Sequence, residues 1–184
     1  LFSIAEQSPS GGQRPPSYPT FRDWKARATA LDRLAYVRGE DLSLPEPEGT
    51  RRILAAYVSE DFFGALGVAA ARGRTFASVN GGERPIVLSW GLWQQRFGGD
   101  PSVIGQSIAS ANGTFTVVGV MPATFSEPAW ADVWTPIELL PARSRFVLDQ
   151  RTLHVDAQVT GHLAPGVTRE QAESQMRTIV QAMA

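Results

Sequence analysis

Residues 85–122, PIVLSWGLWQQRFGGDPSVIGQSIASANGTFTVVGVMP, decide how the chain folds, because nearly every position carries a local structural signal. Residues 86–88 predict a short apolar strand, and Ser89 is placed to cap a helix after it. The aromatic side chains of that helix recur at i, i+3 and i+7 and predict one buried face: Trp90, Trp93 and Phe97. Gly98 and Gly99 predict where the helix ends.

The second half of the same stretch predicts a short helix and a β-hairpin. Asp100 and Pro101 are the cap and first-turn proline of the helix, and Gly105 ends it. Asn112-Gly113 predicts a tight turn between strands at 108–110 and 115–120. No histidine or cysteine occurs between residues 85 and 122, so the stretch is predicted to be structural.

The flanking sequence predicts strands and helices on both sides of this block. Strands are expected at 1–5, 34–37, 53–58 and 153–160, with a turn at residues 45–49. Ser17 and Ser59 are predicted N-caps, and Thr168 with Gln171 forms a capping-box pattern. The last helix carries an apolar stripe at Ala172, Met176, Ile179, Val180 and Met183.

Outside the central block the predicted order is β-α-β-β-α followed by β-α. This order is close to a split βαβ arrangement, an antiparallel or mixed sheet with helices on one face. The pattern therefore predicts the α+β class.

Composition excludes several classes of protein. The 184 residues include 43% apolar residues, which indicates a folded chain with a core. A formal charge of −1 offers no basic excess for nucleic acid, and the absence of cysteine excludes disulfides, thiolate metal sites and thiol nucleophiles. No apolar run reaches the roughly 18–20 residues of a spanning helix.

Side chains that could perform chemistry are scattered along the sequence. His154 and His162 lie on one predicted strand, about 26 Å apart at the usual rise, which is too far to share a metal ion. Ser89 joins a strand to a helix as a nucleophile elbow does, but Val87 replaces the glycine that the motif requires. We therefore predict no catalytic, cofactor-binding or metal-binding residue and no cofactor.

Other features also favour structural explanations. The carboxylates considered for acid–base chemistry stand singly or beside helix starts: Asp23, Glu60, Asp61 and Asp132. Gly81-Gly82 and Gly98-Gly99 lack the lysine and the spacing of a phosphate loop. Trp90, Trp93, Trp130 and Trp134 could line a ligand cage, but core packing explains aromatic residues at helical spacing better.

A set of segments in register along nearly the whole chain resembles one protein family. The matching segments are residues 17–24 (SYPTFRDW), 58–68 (VSEDFFGALGV), 73–76 (GRTF), 88–93 (LSWGLW), 97–101 (FGGDP), 118–122 (VGVMP), 132–136 (DVWTP) and 163–168 (LAPGVT). Together they resemble the periplasmic core domain of MacB-like ABC transporter permeases, in the MacB/LolC/FtsX superfamily, most closely the duplicated orphan permeases of soil bacteria.

The resemblance implies a two-lobe fold. It predicts a porter-like split βαβ sandwich, the first predicted lobe, from residues 1–72 and 141–184. A smaller mixed α/β lobe, the second predicted lobe, is inserted as residues 73–140. The resemblance also implies that the lobes move relative to each other and that sequence leading back to the membrane is missing from the chain.

The function implied by the resemblance is that of a non-catalytic extracytoplasmic domain, on the periplasmic side of the bacterial inner membrane. Such a domain couples ATP-driven membrane motion to the handling of a substrate or partner. The implied partners are the flanking transmembrane helices, a cytoplasmic ATP-binding subunit, and a periplasmic adaptor or a second copy. The alternatives are a stand-alone periplasmic ligand-binding module and a serine hydrolase using Ser89 with a histidine.

Overall fold

A computed structural model describes residues 2–7, 11–76 and 81–182 of the chain. The strands are β1 (Phe2–Ile4), β2 (Glu6–Gln7), β3 (Gln13–Arg14), β4 (Leu31–Glu46), β5 (Gly49–Val58), β6 (Arg72–Gly73), β7 (Pro85–Leu88), β8 (Ser107–Ile108), β9 (Phe115–Val120), β10 (Val133–Pro136) and β11 (Ala157–Leu163). The α-helices are α1 (Tyr18–Arg27), α2 (Phe62–Leu66), α3 (Trp90–Phe97) and α4 (Arg169–Gln181). Short 3-10 helices occupy Pro101–Val103, Ile137–Leu139 and Arg145–Leu148.

One mixed sheet of nine strands runs through the molecule. Its order is β1-β11-β4-β5-β10-β7-β9-β6, with β8 paired to β9, while β2 and β3 form a separate two-stranded ribbon. The β5–β10 and β7–β9 pairs are parallel, and the other pairs are antiparallel. The predicted α+β class is confirmed, and of the antiparallel and mixed sheets that the sequence left open, the mixed one is present.

Alternating side chains along each strand build a core on either face of this sheet. In β5, Ile53 and Tyr57 join the larger core with α1, α3 and α4, whereas Ala56 and Val58 join the smaller one. The smaller core contains Phe62 and Phe63 of α2 and several further aromatic side chains. Helices therefore lie on both faces, and the expectation of helices on one face only is wrong for α2.

Most predicted helix caps are confirmed. The side chain of Ser17 accepts a hydrogen bond from the backbone N–H of Thr20, and that of Ser89 accepts one from Leu92. Thr168 and Gln171 form the predicted capping box at the start of α4. Met183, like Leu1 of the first predicted strand, lies outside the described residues.

Ser59 does not cap α2, although the sequence predicts that it does. Its hydroxyl accepts a hydrogen bond from the backbone N–H of Tyr36 at 3.0 Å, so it is bound to β4 instead. Asp61 occupies the N-cap position, and its side chain makes no capping hydrogen bond. Gly67 ends the helix in the left-handed conformation.

The β4–β5 hairpin is much longer than the predicted strands at 34–37 and 53–58. Its strands continue to Glu46 and from Gly49, so that Pro47 and Glu48 alone form the turn. Leu42, Leu44 and Ile53 alternate with exposed or half-buried residues and are almost fully buried in the larger core. Burial against distant parts of the chain extends the strands beyond their local signal.

Two further predicted elements are displaced. In the second hairpin, Ser110 and Gly113 exchange both backbone hydrogen bonds, so the turn residues are Ala111 and Asn112, one position before the predicted Asn112-Gly113. Strand β11 covers 157–163, whereas 153–160 was predicted, because it pairs with β4 from Arg38 back to Leu31. His154 is consequently outside the strand.

Candidate functional site: the junction between the two halves of the sheet

Ser89 and the two histidines occupy three different places. Besides accepting from Leu92, Ser89 donates its backbone N–H to the carbonyl of Asp132 at 2.8 Å. The Nδ1 atom of His154 lies 2.9 Å from the carbonyl oxygen of Pro15, and the Nε2 atom of His162 lies 2.6 Å from that of Ala65. Within the described part of the chain, no hydrogen bond joins Ser89 to a histidine.

The carboxylates that the sequence suggested are each bound to a structural partner. Asp23 pairs with Arg151 at 2.6 Å, and Glu60 and Asp61 both pair with Lys25. Among residues 2–7, 11–76 and 81–182, no group of three or more His, Cys, Asp or Glu side chains could hold a metal ion.

Lys25 is held in its charged form by these two acidic partners. Burial alone would lower the pKa of its ammonium group, but the hydrogen bonds to Glu60 and Asp61 outweigh that effect and raise it. The three side chains therefore connect α1 to the start of α2 through ion pairs.

The four tryptophans that could have formed a cage lie on opposite faces of the sheet. Trp90 and Trp93 make an edge-on contact at 4.9 Å and belong to the larger core, with Trp93 almost fully buried and Trp90 half-buried. Trp134 is fully buried in the smaller core, and Trp130 packs against that same core. A cage built from all four is therefore impossible.

The two predicted lobes meet along the parallel strand pair β5–β10. We use the name junction for this strand pair and Asp132. Ala55 to Val58 pair in register with Val133 to Pro136. The backbone N–H of Leu54 donates to the Asp132 carboxylate at 2.9 Å, and the N–H of Asp132 donates to the carbonyl of Leu54 at 2.9 Å. The junction is thus an uninterrupted part of the sheet.

The distal half of the β4–β5 hairpin, residues 39–54, forms a second connection that we call the hairpin arm. The backbone N–H of Ala111 donates to the carbonyl of Ser43 at 3.2 Å. Near the tip, Arg96 of α3 bonds the Glu46 carboxylate at 2.8 Å and the Pro45 carbonyl at 2.7 Å. The arm belongs in sequence to the first predicted lobe but contacts the second.

A separate group of contacts within the first predicted lobe centres on Glu40 of β4. Its carboxylate accepts a hydrogen bond from the Ser144 hydroxyl at 2.7 Å and lies 3.2 Å from Arg38 and 3.4 Å from Arg143. These contacts attach the segment after residue 140 to the centre of the sheet. The Glu40 carboxylate is therefore used in holding elements together.

The residues that build these contacts have partners that no local sequence pattern indicates. Asp132 lies in the matching segment 132–136 and Glu40 in no motif, but neither position indicates its partners, which are 78 and up to 104 residues away along the chain. The apolar alternation of Leu42, Leu44 and Ile53 around Pro47 was the available signal for a long arm. The site combines hydrogen bonds and ion pairs that resist displacement, and it brings no nucleophile to a base.

Known proteins with similar sequences and folds identify the kind of domain this is. The family profile described as the MacB-like periplasmic core domain matches residues 1–179. No curated protein sequence matches the chain significantly.

Three solved structures share the fold at low sequence identity. The periplasmic region of MacB from Actinobacillus actinomycetemcomitans is 12% identical with a TM-score of 0.67, over 95% of this chain and 77% of that one. A domain of a putative permease from Porphyromonas gingivalis is 17% identical with a TM-score of 0.69, over 99% and 78%. The extracellular domain of the ABC-type transporter YknZ from Gram-positive bacteria is 13% identical with a TM-score of 0.64, over 98% and 84%.

These findings confirm the resemblance stated from the sequence. They also confirm the expected location, on the periplasmic or extracellular side of the membrane. Within the described residues, no helix has the length and apolar character needed to cross a membrane.

Proposed function

Because this chain belongs to the family of MacB-like periplasmic core domains, we propose that it is a non-catalytic domain that couples ATP-driven membrane motion to events in the periplasm. It receives displacement from the flanking transmembrane helices of its permease and passes it to a substrate, an adaptor or a second copy of the domain. A cytoplasmic ATP-binding subunit supplies the energy.

The observation that carries this proposal is the single sheet that runs through both predicted lobes. The junction and the hairpin arm connect the two predicted lobes in two separate places, and the Glu40 contacts hold the segment after residue 140 to the sheet within the first predicted lobe. Packed cores switch between discrete arrangements and do not deform continuously. We therefore propose that the domain moves as one rigid body, and the division into two lobes at residues 73 and 140 remains a prediction.

The absence of catalysis is part of the proposal and is supported by the positions of Ser89 and the histidines. Ser89 caps α3, while His154 and His162 contact carbonyl oxygens elsewhere. A fluorophosphonate probe is expected to leave the protein unlabelled. Labelling that disappears in Ser89→Ala would favour the hydrolase alternative.

The coupling can be tested by distance measurements between spin labels in the full permease with its ATP-binding subunit. The chain lacks cysteine, so introduced cysteines are the only thiols in this domain. Gly91→Cys lies on α3, where a Cβ atom meets open space, and Thr178→Cys lies on the exposed side of α4. One label is thus placed in each predicted lobe.

Two distances between spin labels, one between copies of the permease and one within a copy, distinguish the possible outcomes. Between singly labelled copies of the permease, we expect the distance to change when a non-hydrolysable ATP analogue binds. Within one doubly labelled copy, diluted with unlabelled protein, we expect no change. A constant distance between copies would contradict coupling, and a change within one copy would restore the motion between lobes that the resemblance implies.

A further inference from the structure

A groove at the outer edge of the sheet has no role in the coupling described above. It encloses about 910 Å³ between strand β1, the β2–β3 ribbon and helix α4, and we call it the outer groove. This volume lies within the range of about 300–1,000 Å³ that is usual for small-molecule sites. The outer groove is far from the junction in the order of the strands, since β1 ends the sheet.

The floor of the outer groove is apolar. Phe2 and Ile4 of β1 line it from the sheet, and Met176 and Val180 line it from α4. Those two α4 residues lie four positions apart and so share one face of the helix. Val180 is 45% exposed, and Phe2, Ile4 and Met176 are half-buried, so this strip of apolar surface is only partly covered by the protein.

Two polar atoms of groove-lining residues are buried without a hydrogen-bond partner. The indole Nε1 of Trp24 has no acceptor among the described residues, although Trp24 is only 1% exposed. The Oε1 atom of Glu6 has no donor there, while its other carboxylate oxygen binds Arg14. Because unsatisfied buried groups are costly, a ligand that offers both an acceptor and a hydroxyl donor would be favoured.

The rim of the outer groove carries an excess of positive charge. Three of its arginines each have one carboxylate partner: Arg14 with Glu6, Arg151 with Asp23, and Arg169 with Glu173. Arg177, on α4 beside Met176, forms no ion pair with any residue in the described ranges. The charge left for a ligand is therefore positive and lies next to the apolar floor.

We propose that the outer groove binds an anionic lipid whose head group carries a hydroxyl, and that it holds one acyl chain of that lipid. The acyl chain covers Met176 and Val180, the acidic group binds at Arg177, and head-group oxygens satisfy Trp24 and Glu6. A lipid suits this groove better than a docked protein, because a stable protein interface buries about 1,200–2,000 Å² and extends well beyond one such cavity. The location outside the membrane of a permease brings lipids within reach.

The proposal predicts binding of palmitoyl lysophosphatidylglycerol by the 184-residue chain. Titration calorimetry and native mass spectrometry, below the critical micelle concentration, should show one molecule bound per chain. Palmitoyl lysophosphatidylcholine has the same acyl chain and no net charge, and we expect it to bind at least several-fold more weakly. Equal affinity for the two lipids, or binding of neither, would overturn the proposal.

Variants of the groove and matched controls locate the site. Val180→Glu places a carboxylate against the acyl chain and should weaken binding by roughly tenfold or more. Arg177→Gln should weaken it several-fold. The controls are Phe146→Glu, at an apolar residue 56% exposed outside the groove, and Arg27→Gln, at an exposed arginine of α1; neither should change the affinity.

Each remaining outcome bears on the proposal. Unchanged affinity in both Val180→Glu and Arg177→Gln would show that the lipid binds elsewhere and would refute it. Sedimentation of the lipid-free chain as a dimer that Val180→Glu dissociates would assign the groove to a second copy instead. Since Arg177 is on the surface, Arg177→Gln keeps the test valid if Val180→Glu reduces folding, and none of these measurements depends on coupling to ATP.

Discussion

The junction and the outer edge of the same sheet differ sharply in how they are held. At the junction, Ala55 to Val58 and Val133 to Thr135 are 0% exposed, and backbone pairing continues into the Asp132–Leu54 contacts. At the outer edge, β1 has three residues, none of them fully buried, and α4 leaves Val180 open to solvent. The boundary between the predicted lobes is thus more fully buried than the outer edge of the sheet. This difference favours motion of the whole domain and ligand binding at its edge.

Replacing Trp134 with alanine should produce the largest loss of stability. Its ring is fully buried at the junction, lies 5.3 Å from the ring of Phe125, and donates its indole N–H to the carbonyl of Glu127 at 2.9 Å. We expect the free energy of unfolding to fall by about 3–5 kcal/mol in urea denaturation followed by circular dichroism.

The matched change at the outer edge is Val180→Ala, which should cost less than about 0.5 kcal/mol. Similar losses in the two variants would contradict the contrast between junction and edge. Two separate unfolding transitions in the unsubstituted protein would show that the predicted lobes are independently stable, against a rigid junction.

Local signals predicted the parts of the fold that depend on neighbouring residues. Ser17, Ser89 and the Thr168–Gln171 pair act as caps because a cap involves residues within one turn of the chain. Ser59 failed as a cap because the N–H of Tyr36, 23 residues earlier, competes for its hydroxyl.

The long-range parts were not predictable from local patterns. The hairpin arm extends to Glu46 with its apolar residues buried in the larger core and with hydrogen bonds to α3 and the second hairpin, which lie far away in sequence. The connection through Asp132 joins residues 78 positions apart, and the matching segment 132–136 does not indicate Leu54 as its partner. The family and the mixed sheet were predicted because the matching segments lie mostly within single strands, helices and turns.

The second prediction tests the contribution of the Asp132 side chain to the junction. Asp132→Ala removes the acceptor of the Leu54 N–H, and we expect a loss of about 1 kcal/mol because water replaces part of the lost hydrogen bond. Asp156→Ala is the matched control, since its exposed side chain makes no hydrogen bond or ion pair with the described residues. The free energy of unfolding of the control should change by no more than about 0.5 kcal/mol. Equal losses of stability in the two variants would show that the Asp132 side chain does not stabilise the junction.

The smallest effect at neutral pH concerns the buried tyrosines near the centre of the sheet. Burial raises the pKa of Tyr36 and of Tyr57 from 10.0 to about 12, and the Tyr36 hydroxyl is buried without a partner among the described residues. Tyr36→Phe removes one such hydroxyl, so at pH 7 we expect stability to be unchanged or to rise by no more than about 1 kcal/mol.

The same substitution should have a clearer effect in alkaline solution. Because the pKa of Tyr36 is higher in the folded state than in the unfolded state, the folded protein holds the phenolic proton more strongly. The stability linked to this proton is fully present below pH 10 and is lost as the pH rises from 10 towards 12, by up to about 1.4 kcal/mol per pH unit for one tyrosine. Tyr36→Phe should therefore make the decline of the unfolding midpoint with pH less steep over this interval.

Phe146→Tyr, which adds a tyrosine at a site 56% exposed, is the control and should leave the decline as it is, because an exposed tyrosine has the same surroundings in both states. If the decline is unaltered in Tyr36→Phe, the Tyr36 hydroxyl of the unsubstituted protein is hydrated in the folded state. Water would then reach the centre of the sheet, which would contradict the contrast between a fully buried junction and an open outer edge.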